Sequence, residues 1–431
     1  MNPNAARPKI VVLGGGFAGL ETAYALRSAM PDQADITLIS NRPTFLFRPH
    51  TIYIPFGVDE DQLLVDIAKP ARRREIRFVE AHARAADPVR RVIAYERDGQ
   101  THHELYDYLV VATGAQPHPE EIPGLTEHGH SMGSVPGMVA LRNRLNHVLE
   151  RAKYGKVQRI VLALPPHAPY TTPVYELTFM LDSFLRDARV REQVNLTLVT
   201  HESQYIESFG PLLHNLIQEQ FETRGIENRT GSALVRVEAG AAHFDTGDAL
   251  PFDLLAAFPP ASASVAFPGL PADERGYLHT HLATRHVHGL HGVFAAGDTS
   301  DFPIRQAFVA LLQADAIAEG ITADVQGRAP RFVFEPVSKF VMEEFDTGLY
   351  AQTPFSTEGG LHVDLDSPEY KAGASPLWRI GKRMLGNALP RRFSQGEPFN
   401  AGLPSLGIDM GVKVLSGVAA GRRRESTPTP N

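Results

Sequence analysis

The sequence predicts an α/β protein in which one strand–helix–strand fold occurs twice, with a separate region following. Three observations lead to this fold class. A glycine-rich turn, Gly14–Gly19, joins an apolar strand to a helix. Apolar strands near the start of the chain recur about 150 residues later, as expected for a duplicated unit. After residue 330 the composition changes and a basic helical segment appears.

The first copy has the element order of a dinucleotide-binding unit. Lys9–Leu13 is a short apolar strand, Leu20–Ala29 has helical composition, and Ile36–Ile39 is a second, β-branched strand. The turn between the first strand and the helix reads GGGFAG, which fits the pattern GxGxxG. In this context the pattern predicts a Rossmann-like domain that holds a dinucleotide.

The three glycines of the pattern have separate expected roles. Gly14 allows the tight turn, Gly16 lets the backbone approach a pyrophosphate, and Gly19 lets the helix pack closely on the strand. The acidic residue expected about 20 positions further on is replaced by Ser40 and Asn41. Either polar side chain is able to hydrogen-bond a ribose, less strongly than a carboxylate does.

The second copy is predicted from matching strands. Ile10–Leu13 matches Ile160–Ala163, and Tyr106–Ala112 matches Pro251–Ala257. The alternative is that buried strands look alike, but the shared order favours duplication. The glycine positions of the first copy correspond to Leu164, Pro166 and Pro169 in the second. Proline offers no N–H to a phosphate, so this domain is predicted to keep the fold without binding NAD(P) in the usual way.

Two later strands end in short polar motifs. Leu109–Ala112 runs into Thr113 and Gly114, and Val293–Ala296 runs into Gly297 and Asp298. With GGGFAG, these ATG and VFAAGD segments resemble the FAD-binding set of two-dinucleotide-domain flavoprotein reductases, the pyridine nucleotide-disulfide oxidoreductase family. Within it, the chain is most similar to sulfide:quinone oxidoreductases, the flavoprotein of flavocytochrome c sulfide dehydrogenase and type II NADH dehydrogenases. The resemblance covers about residues 8–330 and is specific for FAD rather than for substrates.

The resemblance implies FAD as cofactor and a discontinuous FAD domain. The implied boundaries are 1–150 and 281–330 for the FAD domain, 151–280 for the second Rossmann-like domain, and 331–431 for a C-terminal α/β or helical region. The residues implied at the cofactor are Gly14, Gly16, Phe17, Ala18, Gly19, Ser40, Asn41, Arg42, Ala83, Ala112, Thr113, Gly114, Gly297, Asp298, Ile304 and Gln306. Ala83 is expected on the strand that begins at Phe78.

The chain contains no cysteine. Disulfides, zinc–thiolate sites and iron–sulfur clusters are therefore excluded. Sulfide-oxidising members of the family use a cysteine pair, and Thr171 or Thr172 stands at the place of one of them. Because a hydroxyl has no sulfur-transfer chemistry, the persulfide mechanism is also excluded.

An aromatic stretch, Phe45–Gly57, is similar to the segment near flavin and quinone in the related enzymes. A quinone needs an apolar slot with a few hydrogen-bond donors. We therefore predict a quinone or substrate pocket at Phe47, Pro49, His50 and Tyr53, the alternative being a loop packed between domains. Gln306 and Gln313, seven residues apart, suggest either a quinone-facing helix or a helix that simply contains two glutamines.

The C-terminal region contains a predicted basic amphipathic helix. Its apolar positions form one stripe between Ser375 and Leu389, and no acid occurs between residues 371 and 392. Residues 375–392 are therefore predicted to contact a membrane surface, the alternative being an ordinary interface helix. The tail Gly421–Asn431 is predicted to be disordered.

Composition limits the remaining function classes. The net charge of −7 argues against nucleic acid binding by bulk electrostatics. No targeting or membrane-spanning segment is recognised, so we expect a cytoplasmic protein, peripheral on the inner face of a membrane. Five histidines between residues 279 and 291 match no metal-ligand spacing, and no metal is predicted. The oligomeric state is left open, a homodimer included.

The predicted function is an FAD-dependent oxidoreductase that passes electrons through a non-covalent flavin to a quinone, without persulfide chemistry and with an unknown donor. Two alternatives stay open. One is an enzyme like the type II NAD(P)H:quinone dehydrogenases with a modified nucleotide site. The other is a non-enzymatic FAD protein that binds a partner. The catalytic residues are unknown at this stage.

Overall fold

The structure is a computed structural model that describes residues 7–399. The disorder predicted for Gly421–Asn431 lies outside the described residues. Within residues 7–399, no helix combines the length and apolar character needed to cross a bilayer.

The elements alternate between strands and helices along most of the chain. The helices are α1 Phe17–Ala29, α2 Ala68–Arg73, α3 Leu125–His128, α4 Val135–Lys153, α5 Thr172–Asp187, α6 Pro211–Arg224, α7 Ala307–Val325 and α8 Pro376–Ser394. The strands are β1 Lys9–Leu13, β2 Asp35–Ser40, β3 Thr44–Leu46, β4 Leu64–Asp66, β5 Arg77–Glu80, β6 His82–Asp87, β7 Val92–Arg97, β8 Gln100–Leu105, β9 Tyr108–Val111, β10 Ala115–Pro117, β11 His130–Ser131, β12 Gln158–Leu164, β13 Val194–Thr200, β14 Glu227–Arg229, β15 Leu234–Glu238, β16 Ala241–Phe244, β17 Ala249–Pro251, β18 Leu254–Ala257, β19 Ala261–Ala263, β20 Val293–Ala295, β21 Val337–Glu343, β22 Gly348–Ser356, β23 His362–Val363 and β24 Lys371–Ala374.

The first domain is built on a parallel sheet of five strands in the order β20-β9-β1-β2-β5. Its strands are apolar because both faces are covered. Helices α1 and α7 pack on one face, around Leu20 and Ile317. The antiparallel sheet β6-β7-β8 packs on the other, around Ile93. A tight hairpin joins β7 to β8 at Asp98 and Gly99, with both residues at positive φ.

The second domain repeats this arrangement, which confirms the predicted duplication. Its parallel sheet has the order β11-β18-β12-β13-β14, so β18, β12 and β13 stand where β9, β1 and β2 stand in the first sheet. Helices α4, α5 and α6 cover one face, and the small sheet β15-β16-β17 covers the other. The fold class is therefore confirmed as two Rossmann-like domains.

The domain boundaries differ from the predicted ones. Strand β11 and helix α4 lie before residue 150 but belong to the second sheet and its core. The chain crosses between the domains at β10 and returns at β19, and these two strands pair antiparallel. The crossings therefore lie near residues 117 and 261 rather than 150 and 280. The strand predicted from Phe78 through Ala83 is also interrupted, because β5 ends at Glu80 and Ala83 lies on β6.

The C-terminal region consists of the antiparallel strands β21 to β24 and helix α8. Met342 and Leu349 of the strands join the core of the second domain. Leu389 and Phe393 of α8 join the core of the first, where the Phe393 ring lies 5.6 Å from that of Phe45. The region is therefore a bridge across both domains.

One ionic cluster ties the C-terminal strands to the second domain. The Arg224 guanidinium donates to Glu344 at 2.9 Å, and also to Asp182 and Asp346. The Glu344 side chain is completely buried, and its Oε1 has no partner among the described residues. Burial raises the pKa of Glu344 to about 7, against the lowering effect of Arg224.

This raised pKa predicts a pH-dependent stability. The folded state holds a proton on Glu344 that the unfolded state has released, so the stabilisation is full below the unfolded pKa and lost as pH rises through about 7. We expect the free energy of unfolding of the native protein, relative to that of Glu344→Gln, to fall between about pH 5 and about pH 8. Urea titrations at both pH values measure this difference. Glu335→Gln, at an exposed position, serves as control. Equal differences at both pH values contradict the prediction.

Candidate functional site

The predicted cofactor residues gather at one edge of the first sheet. Because β1, β2, β9 and β20 are parallel neighbours, their carboxyl ends meet there. Each of these four strands is followed at once by one of the predicted segments, which are Gly14–Gly19, Ser40–Arg42, Ala112–Gly114 and Gly297–Asp298. Segments up to 280 residues apart in sequence thus form one continuous site.

The glycine turn has the geometry that a pyrophosphate site needs. Gly14 has φ +105°, and a Cβ there would lie 2.2 Å from the carbonyl oxygen of Ala112. A Cβ on Gly19 would lie 1.9 Å from the Gly14 oxygen, so the helix packs directly on the turn. Gly16 is different, because nothing lies within 4 Å of its Cβ position. The space in front of Gly16, at the uncapped amino end of α1, is open to an anion.

The segment after β2 offers mainly exposed groups. Ser40 is buried, and its hydroxyl donates to the main-chain oxygen of Arg42 at 2.9 Å. The side chains of Asn41 and Arg42 are exposed. Ala83 is tied to this edge indirectly, since the N–H of Ala81 donates to the Ser40 oxygen at 2.9 Å. Ser40 therefore shapes the turn, while Asn41 and Arg42 are free to meet a ribose.

Asp298 follows β20, the outermost strand of the first sheet, and its carboxylate accepts a hydrogen bond from the hydroxyl of Tyr170. Burial raises the pKa of Asp298, while the Tyr170 bond and the cations of Arg305 and Arg48 act to lower it. Thr113 and Thr299 meet at 3.3 Å beside it. Each carboxylate oxygen has two lone pairs, so Asp298 has the capacity to accept a further hydroxyl, such as one of a cofactor.

Tyr170, Arg48 and Arg305 were not among the predicted residues at the cofactor. Tyr170 belongs to the loop between β12 and α5, in the second domain. The sequence does show a proline-rich loop at residues 165–171. The pattern of the loop indicates only that the glycines of the first copy are missing, and it does not indicate a role for Tyr170.

The two glutamines of α7 have structural partners. Gln313 is buried and accepts from the N–H of Gly297 at 2.7 Å, so it fixes the turn before Asp298. Gln306 directly precedes the helix without capping it, and its side chain accepts from the Ser338 hydroxyl at 2.5 Å. These contacts support the interpretation of α7 as a helix that simply contains two glutamines. Ile304 is buried shortly before α7. The first turn of α7 has no capping side chain, so its N–H groups favour a negative charge nearby.

The rings of the predicted quinone residues pack edge to face in a row and do not line an open cavity. The Phe47 ring lies 5.8 Å from Phe17 and 4.6 Å from His50, and His50 lies 5.3 Å from Tyr53. Pro49 is half-buried beside them. The Tyr53 hydroxyl donates to Glu343 at 2.5 Å. Burial, reinforced by Lys382, lowers the pKa of His50 to about 4, so this imidazole is neutral at pH 7.

Two neighbouring cavities share several lining residues, and Tyr170 lines one of them. One has a volume of about 620 Å³ and is lined by residues 167–172, His201, residues 303–306 just before α7, and His362. The other, of about 550 Å³, shares His167 and Arg305 with it. Thr171 and Thr172 line the larger cavity. Phe47, Pro49, His50 and Tyr53 line neither of the two.

The histidine-rich segment holds no metal cluster. Within the part of the chain that the structure describes, no three His, Asp or Glu side chains are arranged to bind a metal ion. His281 and His288 instead pack on each other, with ring centroids 4.5 Å apart.

Residues 8–161 match the family described as pyridine nucleotide-disulphide oxidoreductase. This segment is therefore similar to FAD-dependent oxidoreductases, and FAD is its cofactor. The open space at Gly16 and the hydroxyl-binding Asp298 both fit FAD.

Among curated proteins, the chain is 29% identical to the sulfide-quinone reductase of Aquifex aeolicus over 53% of this chain and 52% of that one. It is 25% identical to the external alternative NAD(P)H-ubiquinone oxidoreductase B1 of Solanum tuberosum, over 56% and 44%. It is also 25% identical to the demethylphylloquinone reductase NdbB of Synechocystis, over 69% and 72%. The chain thus spans about half the length of the first two relatives.

Solved structures show the same fold over nearly the whole chain. The sulfide:quinone oxidoreductase of Aquifex aeolicus superposes with a TM-score of 0.77, at 20% identity, and covers 91% of this chain and 92% of its own. NDH2 of Plasmodium falciparum superposes with a TM-score of 0.68, at 14% identity, over 90% and 97%. The two-domain architecture with a C-terminal region is therefore shared.

Proposed function

We propose that this chain is an FAD-dependent oxidoreductase that passes electrons from the flavin to a quinone at a membrane surface. Three of the curated relatives to which the chain is similar are named as quinone reductases. The observation that carries the proposal is the aromatic row that starts at the FAD site and ends at helix α8. FAD, when bound, supplies a carrier of two electrons, and the chain positions it and its acceptor.

The row connects the flavin domain to the C-terminal helix in three contacts. Phe17 is the first residue of α1, directly after the pyrophosphate turn. Phe47 packs against it, and His50 packs against Phe47. His50 also touches α8, where a Cβ added to Gly386 would lie 2.2 Å from its Nε2. An apolar quinone ring approaching from α8 would meet aromatic faces along this path, with neutral His50 as a hydrogen-bond partner.

Persulfide chemistry has no place in this proposal. The chain lacks cysteine, and the threonines at the corresponding position line a cavity without a nucleophilic sulfur. The electron donor is therefore a molecule whose oxidation does not need a cysteine pair.

The decisive experiment measures reoxidation of the flavin. The FAD-loaded protein is photoreduced without oxygen and mixed with decylubiquinone, and the flavin absorbance is followed. We expect quinone to restore the oxidised spectrum faster than air-saturated buffer does. A flavin that no quinone reoxidises faster than oxygen contradicts the proposal and favours the non-enzymatic alternative.

The outer face of α8 supports attachment to a membrane. Leu377, Ile380 and Met384 point outward with 43, 56 and 68% of their surface exposed. Leu64 of the adjacent strand β4 is exposed beside α8 at 44%. The other apolar side of α8, with Leu389 and Phe393, packs in the core of the first domain. A second apolar face with exposed arginines along its flank is typical of a helix lying in the lipid headgroup region.

This face gives a direct prediction. The double substitution Ile380→Asp and Met384→Asp is expected to weaken binding to anionic phospholipid vesicles at least tenfold, since each buried apolar side chain contributes about 1.5–3 kcal/mol. Vesicle co-sedimentation measures the bound fraction. Leu105→Asp changes an equally exposed residue, also 56%, on the distant strand β8. Sedimentation of the double variant equal to that of Leu105→Asp excludes α8 as the contact.

The similarity to NAD(P)H-ubiquinone oxidoreductases keeps NAD(P)H dehydrogenation as a second candidate function. Its site would be the carboxyl edge of the second sheet. There the turn corresponding to Gly14–Gly16 is the seven-residue loop 165–171, and a proline occupies the first turn of α5. Rapid reduction of the flavin by NADH or NADPH at submillimolar concentration would favour this candidate over a non-nucleotide donor.

A further inference from the structure

We propose that the two cavities at Arg305 bind a small organic acid, whose carboxylate pairs with the Arg305 guanidinium and whose apolar body lies in the larger cavity. This assignment rests on the proposed oxidoreductase function, for which it gives the chemical class of the electron donor. Three features of the structure lead to it, which are an arginine without an acidic partner, an aromatic ring that holds this arginine, and an apolar wall beside it.

Arg305 lies where the two cavities meet. It stands two residues before α7 and belongs to the lining of both cavities. Neither lining includes a residue of the glycine turn, of the turns after β2 and β9, or of Gly297–Asp298. Burial raises the pKa of Asp298, and the Arg305 cation acts against this effect, so the two groups are near each other. A ligand at Arg305 therefore lies beside the proposed FAD site without occupying its turns.

The guanidinium of Arg305 has hydrogen-bond donors that the protein does not use. Its Nε is buried and has no partner within residues 7–399, and no carboxylate of this part of the chain forms an ion pair with it. Its Cζ lies 3.9 Å from the centre of the Tyr277 ring, so stacking on an aromatic face holds the group in place. A guanidinium donates two parallel N–H bonds to a carboxylate. This unpaired arginine on a cavity wall is therefore suited to an anionic ligand.

Most other charged groups of the smaller cavity already have partners in the protein. Arg275 donates to Glu121 at 2.8 Å. Asp273 accepts from two main-chain N–H groups, both at 2.9 Å, and Asp301 accepts from a threonine hydroxyl at 2.8 Å. Glu274 is exposed, where salt screens its charge. Arg305 thus differs from the paired Arg275 in having its charge available.

The larger cavity adds an apolar wall to this cation. Its apolar lining comes from the segment before α7 and from the hairpin of β22 and β23, and includes Ile304, Phe355, Leu361 and Val363. Its carboxylates, Glu202 and Glu207, accept hydrogen bonds from hydroxyl and main-chain N–H groups of the protein. The volume of about 620 Å³ lies within the range for small ligands. A molecule with one carboxylate and an apolar body therefore fits both parts of the site.

The test is the binding of benzoate to the FAD-loaded protein, with benzamide as a neutral molecule of the same shape. Isothermal titration calorimetry measures both affinities. We expect benzoate to bind about tenfold more tightly than benzamide, because hydrogen bonds to charged groups contribute more than those between neutral groups. Equal affinities, or no binding of benzoate while FAD is bound, overturn the proposal.

Two substitutions at Arg305 and one control assign the binding to this residue. Arg305→Met removes the charge, and we expect the affinity for benzoate to fall at least about tenfold while that for benzamide stays the same. Arg305→Lys keeps the charge without the planar fork, and we expect a smaller loss. Arg275→Met removes an arginine of the same cavity that is already paired with Glu121, and should leave the affinity for benzoate unchanged. Equal losses in Arg305→Met and Arg275→Met overturn the assignment to Arg305.

The flavin absorbance, followed during the same titrations, locates the site. A ligand that binds beside the flavin perturbs its visible spectrum, so we expect a difference spectrum that saturates with benzoate. An unchanged spectrum at saturation overturns the assignment of this site to the electron donor. These titrations involve neither a quinone nor reduction of the flavin. Failure of the carboxylate site is therefore distinguishable from failure of the proposed function, which the reoxidation experiment tests.

Discussion

Gly16→Val is expected to abolish FAD binding while leaving the protein folded. Nothing in the protein lies within 4 Å of the Cβ position of Gly16, and its φ of −91° is accessible to any residue. The added Cβ therefore meets no protein atom, and we expect the substitution to cost little folding free energy. It does fill the space at the amino end of α1 that the pyrophosphate needs. We expect the affinity for FAD to fall at least about 100-fold, since the phosphates lose their backbone N–H partners.

The measurement is FAD binding to the apoprotein, together with its urea unfolding curve. Gly373→Val is the matched control, because Gly373 also has open space around its Cβ position and no positive φ, but lies on β24 of the C-terminal sheet. Gly14→Val is the opposite case. Its Cβ would overlap the Ala112 carbonyl, and we expect loss of the fold itself. An unchanged FAD affinity in Gly16→Val would place the cofactor elsewhere.

The sequence predicted the strands and turns at this edge of the first sheet because local patterns determine them, while their role in binding FAD stays a prediction. Each segment of this edge is a buried strand followed by a turn, and parallel pairing then brings the turns together. The glycine positions could be assigned roles from spacing alone, and the geometry at Gly14 and Gly19 agrees with those roles. The sequence also shows that no acidic residue follows β2. In the structure, Asn41 and Arg42 occupy this place and are exposed.

Tyr170 could not be predicted in the same way. Its bond to Asp298 joins positions 128 residues apart, and it depends on how the two domains face each other. Similarly, the polar groups of His50 and Tyr53 were visible in the sequence, but their engagement by α8 and Glu343 was not. Interactions between domains have no periodicity that a single sequence displays.

Helix α8 shows the limit of periodicity itself. The sequence marked its apolar residues as one stripe. In the structure they divide into an inner set, with Leu389 buried, and an outer set, with Met384 exposed. Periodicity reports that a helix has apolar positions, but only the neighbours decide which of them are covered. The proposed membrane contact depends on this division.

Asp182→Asn is expected to cost about 3–5 kcal/mol of folding stability, the usual range when one partner of a buried ion pair is removed. The Asp182 side chain is completely buried in α5. Its carboxylate accepts from Arg191 at 2.6 Å, from Arg186 at 2.9 Å and from Arg224 at 3.3 Å. An amide carries no charge and presents its own hydrogens to these cations. Since Arg224 also binds the C-terminal strands, the loss should extend to their attachment.

The pH dependence of this site runs opposite to that of Glu344. Although burial raises it, the hydrogen bonds of Arg186 and Arg191 lower the pKa of Asp182 below its ordinary value. Its stabilisation is therefore present above the unfolded pKa and is lost as pH falls through the folded one. Urea unfolding is measured for Asp182→Asn and for a control, Asp187→Asn, which changes an exposed position on the same helix. The difference between the two variants is the contribution of the buried ion pairs. The control should change stability by less than about 0.5 kcal/mol. Equal losses of folding stability in both variants would mean that the ion pairs between Asp182 and the three arginines do not stabilise the fold.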